Sequence, residues 1–312
     1  MTRRLVVERL RKRLTARGYV PATTVPPAVE GRPDDYTLVE SKVVEGPLLR
    51  THAVGPAAPV PEPLAFLDGV QRVEVIGFAG VGPIVVAEIA AAVRRRESGE
   101  FRTLERGARR LVIAAEEVLE SSREDLLGFD PCPLDFAERS LGHPLKALER
   151  ARQVVDRERG RLEREVGERY RAEFPAGWIV VDGVLTDSGL WERDEHAIGV
   201  SKSHATLPFA GAELLTYLRL AAGERTSVFE PATWRMTPAY SWGLRLWPWE
   251  GQDLLHGLVR VEVAATDGSI ARADEISRWL LAERVPLSRP DPRWDRQLYG
   301  IATVERHLRA QG

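Results

Sequence analysis

The sequence has few of the features that stabilise secreted or membrane proteins. Its 312 residues include one cysteine, Cys132, so an internal disulfide and a cysteine-rich zinc site are both excluded. The longest apolar stretch, residues 73–93, is interrupted by two glutamates, three glycines and a proline, whereas a membrane span needs roughly 18 apolar residues in a row. The charged N-terminus is not typical of a secretory signal. We therefore expect a cytoplasmic protein with no membrane partner.

An excess of basic charge is also absent. Lys and Arg number 44 against 46 Asp and Glu, which gives a formal net charge of −2. This balance excludes the whole-chain basic signature of many nucleic-acid-binding proteins, although a local basic groove remains compatible with it. Hydrophobic residues make up 44% and charged residues 29%, and this composition excludes a mostly disordered chain.

The order of predicted elements indicates an α/β fold with a mixed sheet flanked by helices. One helix of about 30 residues is expected from proline-free, periodically apolar sequence at 145–174, and a closing helix is expected at 295–310. We predict a division into residues 1–63, an N-terminal helix and an extended strap, and residues 64–312, the main domain. Strands are predicted at 64–68, 73–78, 83–93, 178–182 and 197–200.

Two of these apolar strands are predicted to end in Asp-Gly, at Asp68-Gly69 and Asp182-Gly183. A buried acid is costly unless something compensates its charge, and two such acids side by side would repel. A divalent cation between them removes both problems, and carboxylate oxygens favour Mg²⁺ or Mn²⁺. The glycine lets a substrate backbone approach closely. The alternative interpretation is a plain turn dipeptide, which we predict for the third Asp-Gly, in residues 266–269.

At these residues the sequence resembles the NurA nucleases. Asp68-Gly69, after a strand and before a hairpin meander, is similar to their first acidic motif. Residues 178–185, WIVVDGVL, resemble their second motif, and residues 198–202, IGVSK, resemble their Gly-Val-x-Lys strand end. Residues 297–308 are loosely similar to their C-terminal helix. The likeness extends over residues 64–310.

The resemblance implies a ribonuclease H-like fold with an inserted strand-rich region. It also implies a homodimeric, manganese-dependent DNA nuclease (with magnesium as the other option) that acts with the hexameric ATPase HerA. Such pairs work in DNA-end resection and repair, and related pairs in antiviral defence. Val70 and Val184 stand where the family usually has serine. These departures leave open a second hypothesis, a catalytically inactive dimeric adaptor of the same ATPase.

The family also supplies a glutamate from the helix before the second acidic strand. The strand 178–182 rises about 13–17 Å, and a helix running back from residue 174 covers that height in about 9–11 residues. Counting back this number of residues from residue 174 reaches Glu163 or Glu165. We favour Glu163, because Leu162 and Val166 place it beside the apolar stripe.

The remaining candidates surround these three acids. Lys202, just past a strand end, is expected to bind the phosphate or the developing charge, and His204 is a further candidate for proton transfer. The family's C-terminal helix carries a histidine, for which His307 is the candidate ligand and Asp295 and Glu305 are alternatives. The predicted catalytic residues are thus Asp68, Glu163, Asp182 and Lys202, and the predicted metal ligands are Asp68, Glu163, Asp182 and His307.

Overall fold

The computed structural model describes residues 37–124, 126–134, 143–185, 191–232, 238–284 and 296–310. The predicted N-terminal helix and Asp295 lie outside the described residues. The predicted division at residue 63 stays a prediction. None of the helices in the described ranges is long and apolar enough to cross a membrane.

The described elements include strands of a mixed sheet and helices that flank it, which confirms the α/β class. The strands are β1 (Thr37–Leu38), β2 (Lys42–Val43), β3 (Thr51–Ala53), β4 (Leu64–Ala79), β5 (Gly82–Glu97), β6 (Glu100–Ala114), β7 (Asp130–Pro133), β8 (Trp178–Asp182), β9 (Ala197–Ser201), β10 (Thr206–Leu207), β11 (Glu224–Thr226), β12 (Phe229–Glu230), β13 (Ala239–Arg245) and β14 (Leu258–Ala264). The helices are α1 (Glu116–Ser121), α2 (Pro144–Glu173), α3 (Gly211–Leu218), α4 (Asp267–Ala271), α5 (Ala273–Glu283) and α6 (Tyr299–Arg309).

The chain forms two compact units. The first contains the residues up to Val60 together with Asp182–Tyr299, and the second contains Pro61–Val181 together with the residues from Gly300 onward.

The second unit is a mixed sheet with a long helix on one face. Its strand order is β8-β4-β5-β6-β7, in which β4, β5 and β6 are antiparallel neighbours, while β8 is parallel to β4 and β7 parallel to β6. Helix α2 packs on β4, β5 and β6. The predicted mixed sheet with one long helix is therefore confirmed.

Helix α2 begins and packs as its sequence dictates. Pro144 occupies the first turn, where its missing N–H costs nothing, and the His143 ring accepts a hydrogen bond from the Leu145 N–H, 3.2 Å away. The helix approaches the sheet closely at Gly107. A Cβ atom there would lie 2.7 Å from a methyl carbon of Leu162, so only glycine fits without repacking.

The β4–β5 hairpin is longer than the sequence predicts. Residues 64–79 form one strand of 16 residues, not two short ones, and its partner β5 continues to Glu97, past the predicted end at residue 93. Asp68 thus lies inside a strand and not at its end, so that expectation is wrong. The strand tolerates the acid because Asp68 Oδ1 accepts a hydrogen bond from the N–H of Gly69, 2.8 Å away.

The first unit is largely antiparallel. Strand β13 pairs with β14, β11 and β12, and β14 also pairs with β9. Helix α5 is joined to this sheet by a hydrogen bond from Trp242 Nε1 to Ser277 Oγ, 2.9 Å long. Residues 266–269 do not form the predicted plain turn, because Thr266 and Ser269 make a capping box that begins α4.

Candidate active site

The first predicted acid, Asp68, is buried in the second unit. Asp68 exposes only 6% of its surface to solvent. The hydrogen bond from the Gly69 N–H turns the carboxylate toward the backbone of its neighbour. This hydrogen bond replaces part of the hydration that a carboxylate loses when it is buried.

Gly69 lies next to two of the predicted acids, Asp68 in its own strand and Glu163 in α2. The side chain of Glu163 reaches it from α2, and a Cβ atom on Gly69 would lie within 3.0 Å of the Glu163 Oε1, Cδ and Cγ atoms. Asp68 Oδ1 lies 2.8 Å from the nitrogen of the same glycine. The sequence analysis explains the glycine at position 69 by the close approach of a substrate backbone. In the structure, the missing side chain of Gly69 leaves room for the side chain of Glu163.

A polar chain along α2 holds Glu163 in this position. Arg159, one turn earlier in the helix, donates to Glu163 Oε1. Its Nε atom also donates to Gln71 Oε1, 3.1 Å away, and Gln71 in turn donates to Asp156 Oδ1 at 2.8 Å. The sequence analysis missed Arg159, although the spacing of four residues between it and Glu163 is the helical ion-pair spacing.

Glu165, the reserve candidate, faces a different partner. Arg109 of β6 donates to Glu165 Oε2 at 2.5 Å. Of the two glutamates, Glu163 is therefore the one that the structure brings to Gly69.

In the first unit, Asp182 and Lys202 form an ion pair. Lys202 Nζ lies 2.8 Å from Asp182 Oδ2, and both side chains are about four-fifths buried. The Gly183 N–H donates to the Val200 carbonyl, 3.0 Å away, so the residue after Asp182 is bonded to the residue two positions before Lys202. Gly183 has φ +119° and nothing within 4 Å of its Cβ position, so this glycine is needed for its backbone conformation.

Glu262 is a buried carboxylate that the sequence analysis did not select. It is fully buried in β14, and its Oε1 accepts a hydrogen bond from the Leu185 N–H at 3.0 Å. Glu262 thus fixes the backbone three residues after Asp182. The signal in the sequence is an acid in the otherwise apolar run LVRVEVA, at the position paired with Gly199.

The register of the second unit relates the two Asp-Gly motifs. Strands β4 and β8 are parallel, with Leu67 opposite Val181. The next residue in each strand is an aspartate, Asp68 in one and Asp182 in the other.

The C-terminal candidates have other contacts. His307 Nε2 lies 3.1 Å from Thr103 Oγ1, which places the imidazole at β6, two strands from β4. Burial, followed by the charges of Arg94 and Arg106, lowers the pKa of His307. Glu305 accepts a hydrogen bond from Arg309 at 2.6 Å.

His204 is a core residue of the first unit. Its Nε2 atom lies 2.9 Å from the Leu258 carbonyl, in a residue 9% exposed. Burial lowers the pKa of His204 to about 4. A neutral, buried ring that is bonded to a carbonyl is poorly suited to transfer a proton to a substrate at neutral pH.

The carboxylates suit a hard divalent cation in donor type, since all their ligand atoms are oxygens. In the ranges that the structure describes, however, no group of three or more His, Cys, Asp and Glu side chains is arranged to hold a metal ion. Two of the three predicted acids, Glu163 and Asp182, are instead held by a basic side chain.

Comparisons with known proteins give two low-identity structural neighbours. The NurA nuclease from Sulfolobus solfataricus is similar at 11% identity and a TM-score of 0.43, over 99% of this chain and 92% of that chain. The catalytic domain of human Endonuclease V is similar at 13% identity and a TM-score of 0.32, over 100% and 98% of the two chains. No family model and no curated protein matches the chain. The function proposed below therefore rests on this chain's own residues.

Proposed function

We propose that this protein is a metal-dependent nuclease that hydrolyses phosphodiester bonds in DNA. The observation that carries the proposal is that two acids lie beside one glycine of β4: Asp68 Oδ1 accepts a hydrogen bond from the Gly69 N–H, and the Glu163 side chain fills the space where a Cβ atom of Gly69 would stand. Acids that are buried inside a protein need a compensating positive charge. In this chain the basic side chains of Arg159 and Lys202 supply part of that charge.

Asp68, Glu163 and Asp182 are the residues that would hold the metal, Mn²⁺ or Mg²⁺. When bound, such an ion lowers the pKa of a water ligand and stabilises the charge that develops on the departing oxygen. Asp68 is kept in place by the Gly69 N–H, and Glu163 by Arg159. These contacts orient the two carboxylates before any ligand arrives, which lowers the cost of binding.

Lys202 is proposed to act on the phosphate. Its ammonium group is held 2.8 Å from Asp182, so its position is fixed by an ion pair on a strand end. A positive charge held in this way stabilises the additional negative charge on a phosphate in the transition state. Loss of the ammonium group should then lower the rate of cleavage more than it lowers the affinity for DNA.

One observation favours a second candidate, a catalytically inactive adaptor. In the described residues no three metal-binding side chains are grouped, and Arg159 and Lys202 already neutralise two of the acids. In an adaptor these two ion pairs would be permanent parts of the structure. In a nuclease they would open when a divalent cation binds.

The motif resemblance extends the proposal to partners. We propose that the protein works as a homodimer with a HerA-like hexameric ATPase, in DNA-end processing or antiviral defence in the cytoplasm. The sequence has no ATP-binding loop of its own, which supports a partner for any ATP-driven step. Co-purification with such an ATPase, and the mass of the complex in solution, test this part separately.

A degradation assay on linear single-stranded and double-stranded DNA tests the proposal. The wild-type protein with Mn²⁺ should shorten both substrates or one of them, and Asp68→Asn and Asp182→Asn should reduce the rate by at least about 10³-fold, since each removes a proposed ligand of the metal. Cleavage that persists in both variants would remove the proposed site. An inactive wild-type protein, with and without the ATPase, would favour the adaptor.

The neighbouring glutamates of α2 provide a matched pair of variants. Glu163→Gln should abolish cleavage, because the carboxylate at Gly69 is lost. Glu165→Gln removes a carboxylate from the same helix, two residues away, and its ion pairs with Arg109 and Arg161 are lost. Equal activity of the two variants would contradict the assignment of Glu163.

A further inference from the structure

A cleft on the second unit lies on the sheet face opposite helix α2. Its volume is about 700 Å³, and it lies against β4, β5 and β6, with the end of α6 at one side. Gly69 and Gly107 mark the face that α2 covers, because a Cβ atom on either glycine would contact side chains of α2. Residues one position away in these strands therefore point to the other face.

The strand register brings nine side chains together on that face. Partners in register point to the same side of a sheet, and both strand pairs keep their register through this region. The three rows across β4, β5 and β6 are Asp68–Ala92–Arg106, Val70–Ala90–Ala108 and Arg72–Glu88–Arg110. We call the last two rows, with Arg106 and the adjoining Arg309, the arginine trough.

The floor of the arginine trough is made of small side chains. Ala90 and Ala108 are the β5 and β6 members of the central row, which lies between the row of Arg106 on one side and the row of Glu88 and Arg110 on the other. A floor of methyl groups lets a ligand lie close to the strands. The width of the floor, about two strand spacings or 10 Å, suits one extended polymer strand better than a duplex.

The charge of the arginine trough is positive. Arg110 lies 3.3 Å from Glu88, and Arg309 lies 2.6 Å from Glu305. Among the described residues, the guanidinium groups of Arg72 and Arg106 make no ion pair and no hydrogen bond. Exposed arginines without an acidic partner attract phosphates.

The two arginines are placed along the strands at a useful distance. They are separated by two rows along the strands, about 13 Å, and by two strand spacings across the sheet, about 10 Å, which together give a distance of about 16 Å. That length corresponds to up to about five steps of a nucleic-acid strand at roughly 3.4 Å each. The row that contains Arg106 also contains Asp68, so the trough leads along the sheet to the proposed catalytic acid.

We propose that the arginine trough binds the phosphate backbone of single-stranded nucleic acid and guides it to Asp68. The proposal rests on the proposed function, because the nuclease role proposed for Asp68 is what favours a nucleic-acid strand over other polyanions as the ligand of the trough. Arg72 and Arg106 would contact separate phosphates, and the alanine floor would face the sugars.

Binding of a labelled 12-nucleotide single strand in EDTA tests the inference without cleavage. The double variant Arg72→Gln/Arg106→Gln should weaken binding about tenfold or more, and should reduce the slope of log K against log salt by about 1.4, or 0.7 for each phosphate contact. Arg102→Gln is the matched control. It removes an exposed arginine of β6 whose partner is Glu100 and which lies outside the trough, so its affinity and slope should equal those of the wild type.

The outcomes separate this inference from the proposed function. Unchanged affinity and salt slope in the double variant overturn the trough, even if the wild type cleaves DNA. Weaker binding in the double variant supports it, even if the wild type proves inactive. Tighter binding of a 12-base-pair duplex, or equal displacement of the strand by polyglutamate, would contradict a single-strand site, and unchanged thermal melting should show that the variants are folded.

Discussion

The carboxylate of Glu163 occupies the space that a Cβ atom on Gly69 would need. This relationship links a helix residue to the Asp-Gly motif of a strand 94 positions earlier in the chain. It explains why glycine follows Asp68 although its backbone does not require a positive φ. In the second motif the reason is different, because Gly183 does have a positive φ and open space around its Cβ position.

Gly69→Ala should therefore displace Glu163 without unfolding the protein. The methyl group meets the end of a flexible side chain, so the strand can stay paired while the carboxylate moves. A displacement of about 1 Å in catalytic geometry costs on the order of 10²-fold in rate, and we expect a loss of that size in the degradation assay. Gly77→Ala, in the same strand with nothing within 4 Å of its Cβ position, is the control. Equal activity of the two variants would contradict the role given to Gly69.

The Asp182–Lys202 pair should contribute measurably to stability. Both side chains are about four-fifths buried and the charged atoms are 2.8 Å apart. A double-mutant cycle with Asp182→Asn and Lys202→Met should give a coupling energy of about 1 kcal/mol in urea unfolding. Added Mn²⁺ should reduce this coupling if the ion competes with Lys202 for Asp182. A coupling that is zero without metal would show that the ion pair is absent in solution.

His204 should make the protein acid-sensitive. Burial lowers its pKa to about 4 in the folded state, whereas an unfolded histidine titrates near 6.5. The unfolded chain therefore binds a proton first, and the folded state loses stability as pH falls from 6.5 to 4, by about 3 kcal/mol at the lower end. In urea unfolding of His204→Asn, the free energy of unfolding should not show this loss between pH 6.5 and pH 4. The exposed His196→Asn should follow the wild type, and a similar curve for His204→Asn would refute the shift.

Arg225 should be essential to the first unit. Its buried guanidinium donates to both oxygens of Glu45, at 2.6 and 2.9 Å, and to Asp274 at 2.5 Å. Arg225→Met should destabilise the protein by about 3 kcal/mol or more, because it leaves Glu45 partly buried without its partner. Arg225→Lys should recover little, since an ammonium group cannot form the two parallel bonds. Arg272→Met, at a more exposed pair with Glu275, should cost less than about 1 kcal/mol.

Glu45 adds a dependence on pH to that prediction. Burial alone would raise its pKa, but the hydrogen bonds from Arg225 and from the Val228 N–H bring the pKa below its ordinary value. The group therefore stabilises the fold above the unfolded pKa, and that stability is lost as pH falls through the lowered value. Glu45→Gln should lose less stability on acidification than the wild type.

Local patterns were sufficient for several elements of the fold. The proline-free, periodic stretch predicts α2 to within a residue or two, and the apolar run 178–182 predicts β8. The run 197–200 likewise predicts β9, which the structure gives as Ala197–Ser201. In each case the determining signal lies within the element itself, so the sequence carries it directly.

The errors arose where tertiary contacts decide. Strand β4 continues past Asp68 because β5 pairs with it along its length, and nothing within residues 64–68 encodes that partner. Glu163 was preferred over Glu165 from strand and helix rises, and it is the one that reaches Gly69. The arginines at positions 72, 106 and 159 were missed because their roles depend on register and on a helical neighbour, while the composition shows only a balanced charge.

Binding of Mn²⁺ tests the central claim most directly, because it does not depend on cleavage. Titration of the full-length protein, followed by the loss of the electron paramagnetic resonance signal of free Mn²⁺, should show saturable binding to the wild type. Asp68→Asn and Glu163→Gln should each weaken that binding at least tenfold, while Glu165→Gln should leave it unchanged. Mn²⁺ binding of equal strength in all four proteins would contradict the account.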